Sequence, residues 1–362
     1  MAIVSYKCPN CGGDLGFDPE SQNLKCEYCL STFDKDEIEA LTSQHTYDTP
    51  GQEIIEDASD SVYYETEPGS ARLYTCPSCG AQIVTDETTS ATKCCYCHNP
   101  VAFTRQLSEE FRPSKVIPFK KSRDQALDTF LKWCKRKKFL PDDFSSPSQL
   151  ENIAGLYIPY WLVDCDTSGY MQGTGKKIKS WRRGDYQYTQ TDIYSVSRAA
   201  TMSFSHLPHD ASSKADDKVM ESIAPFNYDD LEDFSYSYLS GFISEKYDVP
   251  KEDVYPLIKT RVEQAVEKEL RSSITGYHST SMAGRNVQIN RTRFHYTLMP
   301  IWMLTYIYEG KTYLFAMNGQ TGKTFGALPI CKRKLNILFI TVFLISFVII
   351  LFVLLYMGGV NL

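Results

Sequence analysis

The chain has 362 residues, of which 43% are hydrophobic and 23% charged, with a formal net charge of −6. That length suits about two or three domains, and the composition is that of an ordinary folded protein, which excludes a chain disordered throughout. Residues 1–110 hold 19 acidic against 6 basic side chains, a balance of −13, while 111–362 hold 25 against 32, a balance of +7. The acidic half therefore lacks the basic footprint that phosphate binding requires.

Met1 to Tyr6 runs directly into Cys8 without a charged and then apolar leader, so the bulk of the chain is expected in the cytosol. Thiols stay reduced there, and cysteines paired at metal spacing read as zinc ligands rather than disulfides. Tyr6-Lys7-Cys8-Pro9-Asn10-Cys11-Gly12 recurs as Tyr74-Thr75-Cys76-Pro77-Ser78-Cys79-Gly80. Each copy continues, after the same gap, into a second pair, Cys26/Cys29 and Cys94/Cys97.

Two cysteines at i and i+3 let one tight turn present two sulfurs to one ion, and two such turns complete a tetrahedral shell. Cys8, Cys11, Cys26 and Cys29 form the first predicted shell, and Cys76, Cys79, Cys94 and Cys97 the second. Cys95 and His98 also stand three apart, but aligning Lys25 with Lys93 and Tyr28 with Tyr96 selects Cys94 and Cys97. Both shells are complete with protein ligands, so two zinc ions are expected in a structural rather than catalytic role. The predicted units are a ribbon over 1–46, an acidic linker over 47–70 and a second ribbon over 71–108.

Residues 109–331 read as one α+β domain. Ala126, Leu127, Phe130, Leu131 and Cys134 predict a helix over Ser122–Lys138, and the alternation around Tyr186, Tyr188 and Ile193 predicts strands within 168–206. Asp229–Tyr247 and Glu252–Arg271 read as two helices joined at Pro250. Strands follow at Asn286–Leu298, Ile301–Tyr308 and Tyr313–Met317, with turns at Glu309-Gly310 and Asn318-Gly319. Lys176, Lys177, Lys179, Arg182 and Arg183 read either as a solvated strand face or as part of a basic surface beside the membrane.

Leu335–Tyr356 carries no charge and is dominated by Leu, Ile, Val and Phe, long enough at about 1.5 Å per residue to cross a hydrocarbon core of about 30 Å. Lys332, Arg333 and Lys334 abut its start and no charge follows it. Region 332–362 thus reads as a basic flank and a single-pass anchor, with the N-terminal bulk cytoplasmic and a short C-terminus outside.

No catalytic constellation is legible. Gly319-Gln320-Thr321-Gly322-Lys323-Thr324 ends like a phosphate-binding loop, but Met317 stands where its first Gly belongs and Phe325–Pro329 cannot supply the following helix, so a tight turn is expected. His206, His209, His278 and His295 lack the spacing of a helical metal pair, and Asp164 and Asp166 around Cys165 read as a solvated strand edge. The chain is therefore not expected to be an enzyme or to take a small-molecule substrate.

The two ribbons, Val116-Ile117-Pro118-Phe119, Tyr157-Ile158-Pro159-Tyr160-Trp161, Met299-Pro300-Ile301-Trp302 and Asn318–Lys323 ahead of the apolar segment resemble the bacterial transcription factor IIB-type zinc-ribbon membrane proteins, often labelled helicase-like or primosomal-protein-like. The resemblance covers nearly the whole length. It implies genes encoded beside a phage-shock protein A homologue and a flotillin-like protein, and a scaffold that holds such partners at the membrane in envelope stress. The sequence thus favours a membrane-tethered adaptor over the other reading, nucleic-acid binding by the ribbons.

Overall fold

The computed structural model describes residues 3–47, 72–75, 82–85, 88–93, 100–103, 111–137, 139–141, 144 and 153–359. The N-terminal segment contains β1 (Ile3–Val4), β2 (Leu15–Asp18), β3 (Asn23–Cys26), β4 (Thr32–Phe33) and α1 (Lys35–Tyr47). In β2 and β3 the side chains alternate, burying Leu15, Phe17, Leu24 and Cys26 on one face of the small sheet β2-β3-β4. Asp34 starts α1 by accepting the Asp36 and Glu37 backbone N–H groups, a helix the sequence reading did not anticipate.

Four short strands follow: β5 (Arg72–Thr75), β6 (Gln82–Thr85), β7 (Thr89–Lys93) and β8 (Pro100–Phe103), then β9 (Lys115–Val116) and α2 (Arg123–Lys135). The Ser122 hydroxyl caps α2 by accepting from the Gln125 N–H, and Ala126, Phe130 and Cys134 form its buried stripe, as expected. Two long antiparallel strands come next, β10 (Ala154–Arg183) and β11 (Tyr186–Asp210), then α3 (Asp217–Ile223).

The segment predicted as a helix over Asp229–Tyr247 is not one. It consists of 3-10 turns at Tyr228–Asp230 and Tyr236–Leu239, β12 (Glu232–Asp233) and β13 (Ile243–Glu245). Side chains of Asn227 and Ser235 take the backbone N–H groups of Asp229 and Ser237, offering local partners that compete with helix formation. Phe234, Tyr238, Leu239 and Phe242 are all buried, and the rings meet different partners: Phe234 meets Tyr236, Tyr238 meets Phe17 and Phe242 stacks on Phe119.

The second predicted helix is present as α4 (Lys251–Ser272), burying Val254, Ile258, Val262, Val266 and Leu270. Two predicted strands are continuous as β14 (Ser279–Tyr308), followed by β15 (Lys311–Asn318), β16 (Thr324–Gly326) and α5 (Lys332–Gly359). Pro300 does not break β14 because its carbonyl, and hence the place of its missing N–H, faces β15, whose pairing begins only at Ile301.

The main sheet runs β1-β8-β7-β13-β10-β14-β15-β16, with β11 on the free length of β10. Helix α4 lies along the long strands, and it fits because Gly169 has no side chain: a Cβ there would sit 2.5 Å from Val266 Cγ1. Near the base of the strands, Phe119 stacks on Phe242 at 4.2 Å and meets Tyr157 and Trp302 edge-on, joining the small sheet's neighbourhood to the large one.

Candidate metal centre

Cys8 and Cys11 lie on one turn and Cys26 and Cys29 on another. The Cys8 N–H donates to the Gly13 carbonyl and the Gly12 N–H to the Cys8 carbonyl; the Cys26 N–H donates to Ser31 and the Leu30 N–H to Cys26 in the same pattern. The residue after each second cysteine turns left-handed, Gly12 at φ +72° and Leu30 at φ +60°. Gly12 meets that demand without strain, while Leu30 does so with a side chain. The Tyr28 ring fills the space beside Gly13, where a Cβ would lie 2.6 Å from its Cδ2.

These turns bring all four sulfurs within 4.8 Å of one another, with Cys8–Cys29 and Cys11–Cys26 at 3.5 Å. Tetrahedral zinc with sulfur at about 2.3 Å needs sulfurs about 3.8 Å apart, so the set fits zinc with only small shifts. Cys8 and Cys26 are buried and Cys11 and Cys29 exposed. At Cys11 the Gly13 backbone hydrogen bond acts to lower the thiol pKa, but the neighbouring thiols outweigh it and push it up to about 12. The Ser31 hydroxyl and N–H draw Cys29 down to about 6. Zinc takes thiolate ligands, so metal would displace the proton that Cys11 holds.

The cluster is seated on the body of the protein. The Phe17 N–H donates to the Ser240 carbonyl at 2.9 Å, the Ser240 hydroxyl donates to Leu15 at 2.5 Å, and the Phe17 and Tyr238 rings meet edge-on at 5.1 Å. Glu39 on α1 accepts from the Ser237 N–H and from the Ser235 and Tyr6 hydroxyls, and Lys35 bonds the Tyr238 hydroxyl. Burial and the Glu39 carboxylate raise the Tyr6 pKa strongly, so Tyr6 stays a hydrogen-bond donor. Sequence reading found none of these seating contacts, because their partners at 235–240 lie inside the segment it took for a helix.

Cys76, Cys79, Cys94 and Cys97, with Cys95 and His98, lie outside the described residues. The strands around them repeat the first copy's register: Lys7 pairs with Asp14 as Thr75 pairs with Gln82, and Leu24–Phe33 and Lys25–Thr32 recur as Thr92–Val101 and Lys93–Pro100. In both copies the pairing follows the offset that carries Cys8 to Cys76.

At the other end of the chain, α5 is long and apolar enough to cross a membrane. Its root is fixed: the Cys331 N–H donates to Phe139, Lys334 Nζ to the Leu140 carbonyl, and Lys332 pairs with Glu309 at 2.7 Å. Lys176 to Arg183 do not join this basic flank. Lys176 pairs with Ser279, where β14 begins, whereas Lys332 sits beside the turn where β14 ends.

The phosphate-loop lookalike is the turn between β15 and β16. Asn318 Oδ1 accepts from the Gln320 and Thr321 N–H groups, and its Nδ2 donates to Ile223. The strand-edge reading of Asp164 undercounts its bonds, since at a bulge in the β10–β11 pairing it accepts from the His206 N–H at 2.9 Å, and on the β14 side it lies 3.1 Å from His295 Nε2.

Residues 1–48 match the family described as reverse gyrase zinc finger. Over 368 residues the chain is 34% identical to the "Uncharacterized protein YdjG" of Bacillus subtilis (strain 168), covering 99% of each. The chain belongs to the YdjG family. No solved structure matches it. For this YdjG-family chain, the family match and the four-cysteine cluster together support zinc binding at the first site. The expected resemblance therefore holds as far as a zinc finger at the N-terminus.

Proposed function

We propose that the chain is a membrane-anchored zinc-finger adaptor that docks partner proteins at the cytoplasmic face of the membrane. The observation that carries this reading is the fixed root of α5: a partner bound to the folded body is held at whatever bilayer α5 enters. Lys332, Arg333 and Lys334 before the span support a cytoplasmic body, with the far end of α5 on the other side of the bilayer. The reading assigns the chain no catalytic role.

A second zinc ribbon at Cys76, Cys79, Cys94 and Cys97 belongs to this proposal, supported by the repeated strand register. Transcription factor IIB-type character, and partners like phage-shock protein A and a flotillin, rest on the sequence resemblance. Nucleic-acid binding is the second reading, favoured by the match to a reverse gyrase zinc finger.

The test follows a phage-shock protein A-like partner in cells with the full chain, without it, and with a version ending at Cys331. Membrane recruitment lost without the chain, and diverted to the cytosol by the shortened form, supports the adaptor. Equal recruitment in all three rejects it. Pull-down of the detergent-solubilised chain that recovers nucleic acid instead of protein favours the second reading.

A further inference from the structure

Among the described residues strand β11 pairs only with β10, so along most of its 25 residues one edge of its backbone meets no other described strand. A two-residue turn at Gly184-Asp185, with Gly184 at φ +62°, joins Arg183 to its partner Tyr186. Such a turn closes on a hydrogen-bonded pair. Tyr186 and every second residue up to the bulge near Phe204 thus face β10, while the backbone groups of Gln187, Thr189 and their odd-numbered successors through Ser203 point outward. Proteins guard such edges with charge, proline or a covering element. Between Tyr186 and Ser203, β11 contains no proline and only two charges, Asp192 and Arg198.

We propose that this edge pairs antiparallel with the same edge of a second copy, with the two-fold axis at Ser195. Among the described residues neither charge has an ion-pair partner: Asp192 accepts from Gln190, and Arg198 donates to the carbonyls of Ser197 and Ser273. An axis at Ser195 sets Asp192 directly opposite Arg198 of the second copy, and the reverse, on one face of the joined sheet. Shifting the register by two residues sets Asp192 against Val196 or Ala200 instead and leaves both charges alone.

The same register is sound in its other terms. Odd residues meet odd residues, so the outward backbone groups bond each other, and the ion pairs fall at non-hydrogen-bonded positions, where facing side chains are closest. Tyr188, 44% exposed, then meets Met202 of the second copy, a cross-strand contact of the kind that stabilises sheets. Helix α4 does not obstruct the pairing, because it ends at the level of Arg198, whose Nη2 lies 3.5 Å from the Ser273 carbonyl. The two copies of α4 therefore lie on opposite sides of the axis.

The experiment uses the full chain in detergent, with mass measured by light scattering and the dimer dissociation constant by sedimentation. The native chain is expected to dimerise. Arg198→Asp, which sets two like charges against each other at both symmetric positions, should weaken the dimer at least about fivefold, and the swap Asp192→Arg with Arg198→Asp should restore it. Ser195→Cys places two thiols across the axis and should give a disulfide-linked dimer under mild oxidation, whereas Thr189→Cys, which faces Thr201, should not. A native chain that stays monomeric, a dimer indifferent to Arg198→Asp, or a Ser195→Cys chain that links no faster than the native one overturns the proposal.

Discussion

The backbone N–H of Phe17 donates to the carbonyl of Ser240 at 2.9 Å, so the hairpin carrying the metal ligands is bonded to the wall of the main domain. The Phe17 ring is buried against Tyr238, and Ser240 returns a hydroxyl bond to Leu15. Zinc binding is therefore expected to order the 235–242 segment.

Stripping the metal with a chelator should speed hydrogen exchange at Phe17 and across 235–242, while amides in the middle of β10 keep their protection. Phe17→Ala should cost about 3–5 kcal/mol through the cavity it leaves. Exchange that accelerates only at the four cysteines would show that the finger and the wall are independent.

Zinc affinity should rise with pH across neutrality, because Cys11 holds its proton up to about 12 and must surrender it on binding. The Cys29 pKa is lowered to about 6, so its thiolate persists above that pH and its proton joins the competition below it. Affinity should therefore fall more steeply below about pH 6. Competition against a chromophoric chelator at several pH values measures the slope, and a slope that does not steepen below 6 contradicts the assignment.

Gly169→Ala places a Cβ 2.5 Å from Val266 Cγ1 and 3.0 Å from Leu270 Cδ1. Helix α4 must shift to admit it, at a cost of about 1–3 kcal/mol. Denaturant melts should show the loss, and trimming Val266 to Ala in the same chain should recover part of it. A neutral Gly169→Ala would mean that α4 does not press on β10 here.

Asn318→Ala should destabilise the fold by about 2–3 kcal/mol, because the fully buried side chain accepts from Gln320 and Thr321 and donates to Ile223. Thr324→Ala, which removes the hydroxyl a phosphate-binding loop would use, should leave stability within about 0.5 kcal/mol. Thermal unfolding of the two variants decides the matter, and equal effects would argue against a turn held by Asn318.

Local pattern in the sequence determined the four-cysteine set at Cys8, Cys11, Cys26 and Cys29, helices α2 and α4, and the apolar α5. In each, the information is periodic or repeats at short range, so neighbouring residues suffice to read it. The segment 229–247 failed for the opposite reason. Asn227 just before it and its own Ser235 take nearby backbone N–H groups and Ser235 and Ser237 bond Glu39 of α1, while Phe234 meets Tyr236, Tyr238 meets Phe17 and Phe242 meets Phe119. Tertiary structure alone decided that the finger seats on Ser240, that Lys332 and Arg183 lie at opposite ends of one sheet, and that among the described residues β11 pairs on one edge alone. These are relations between residues far apart in the chain, fixed by strand register and packing, and no local pattern encodes them.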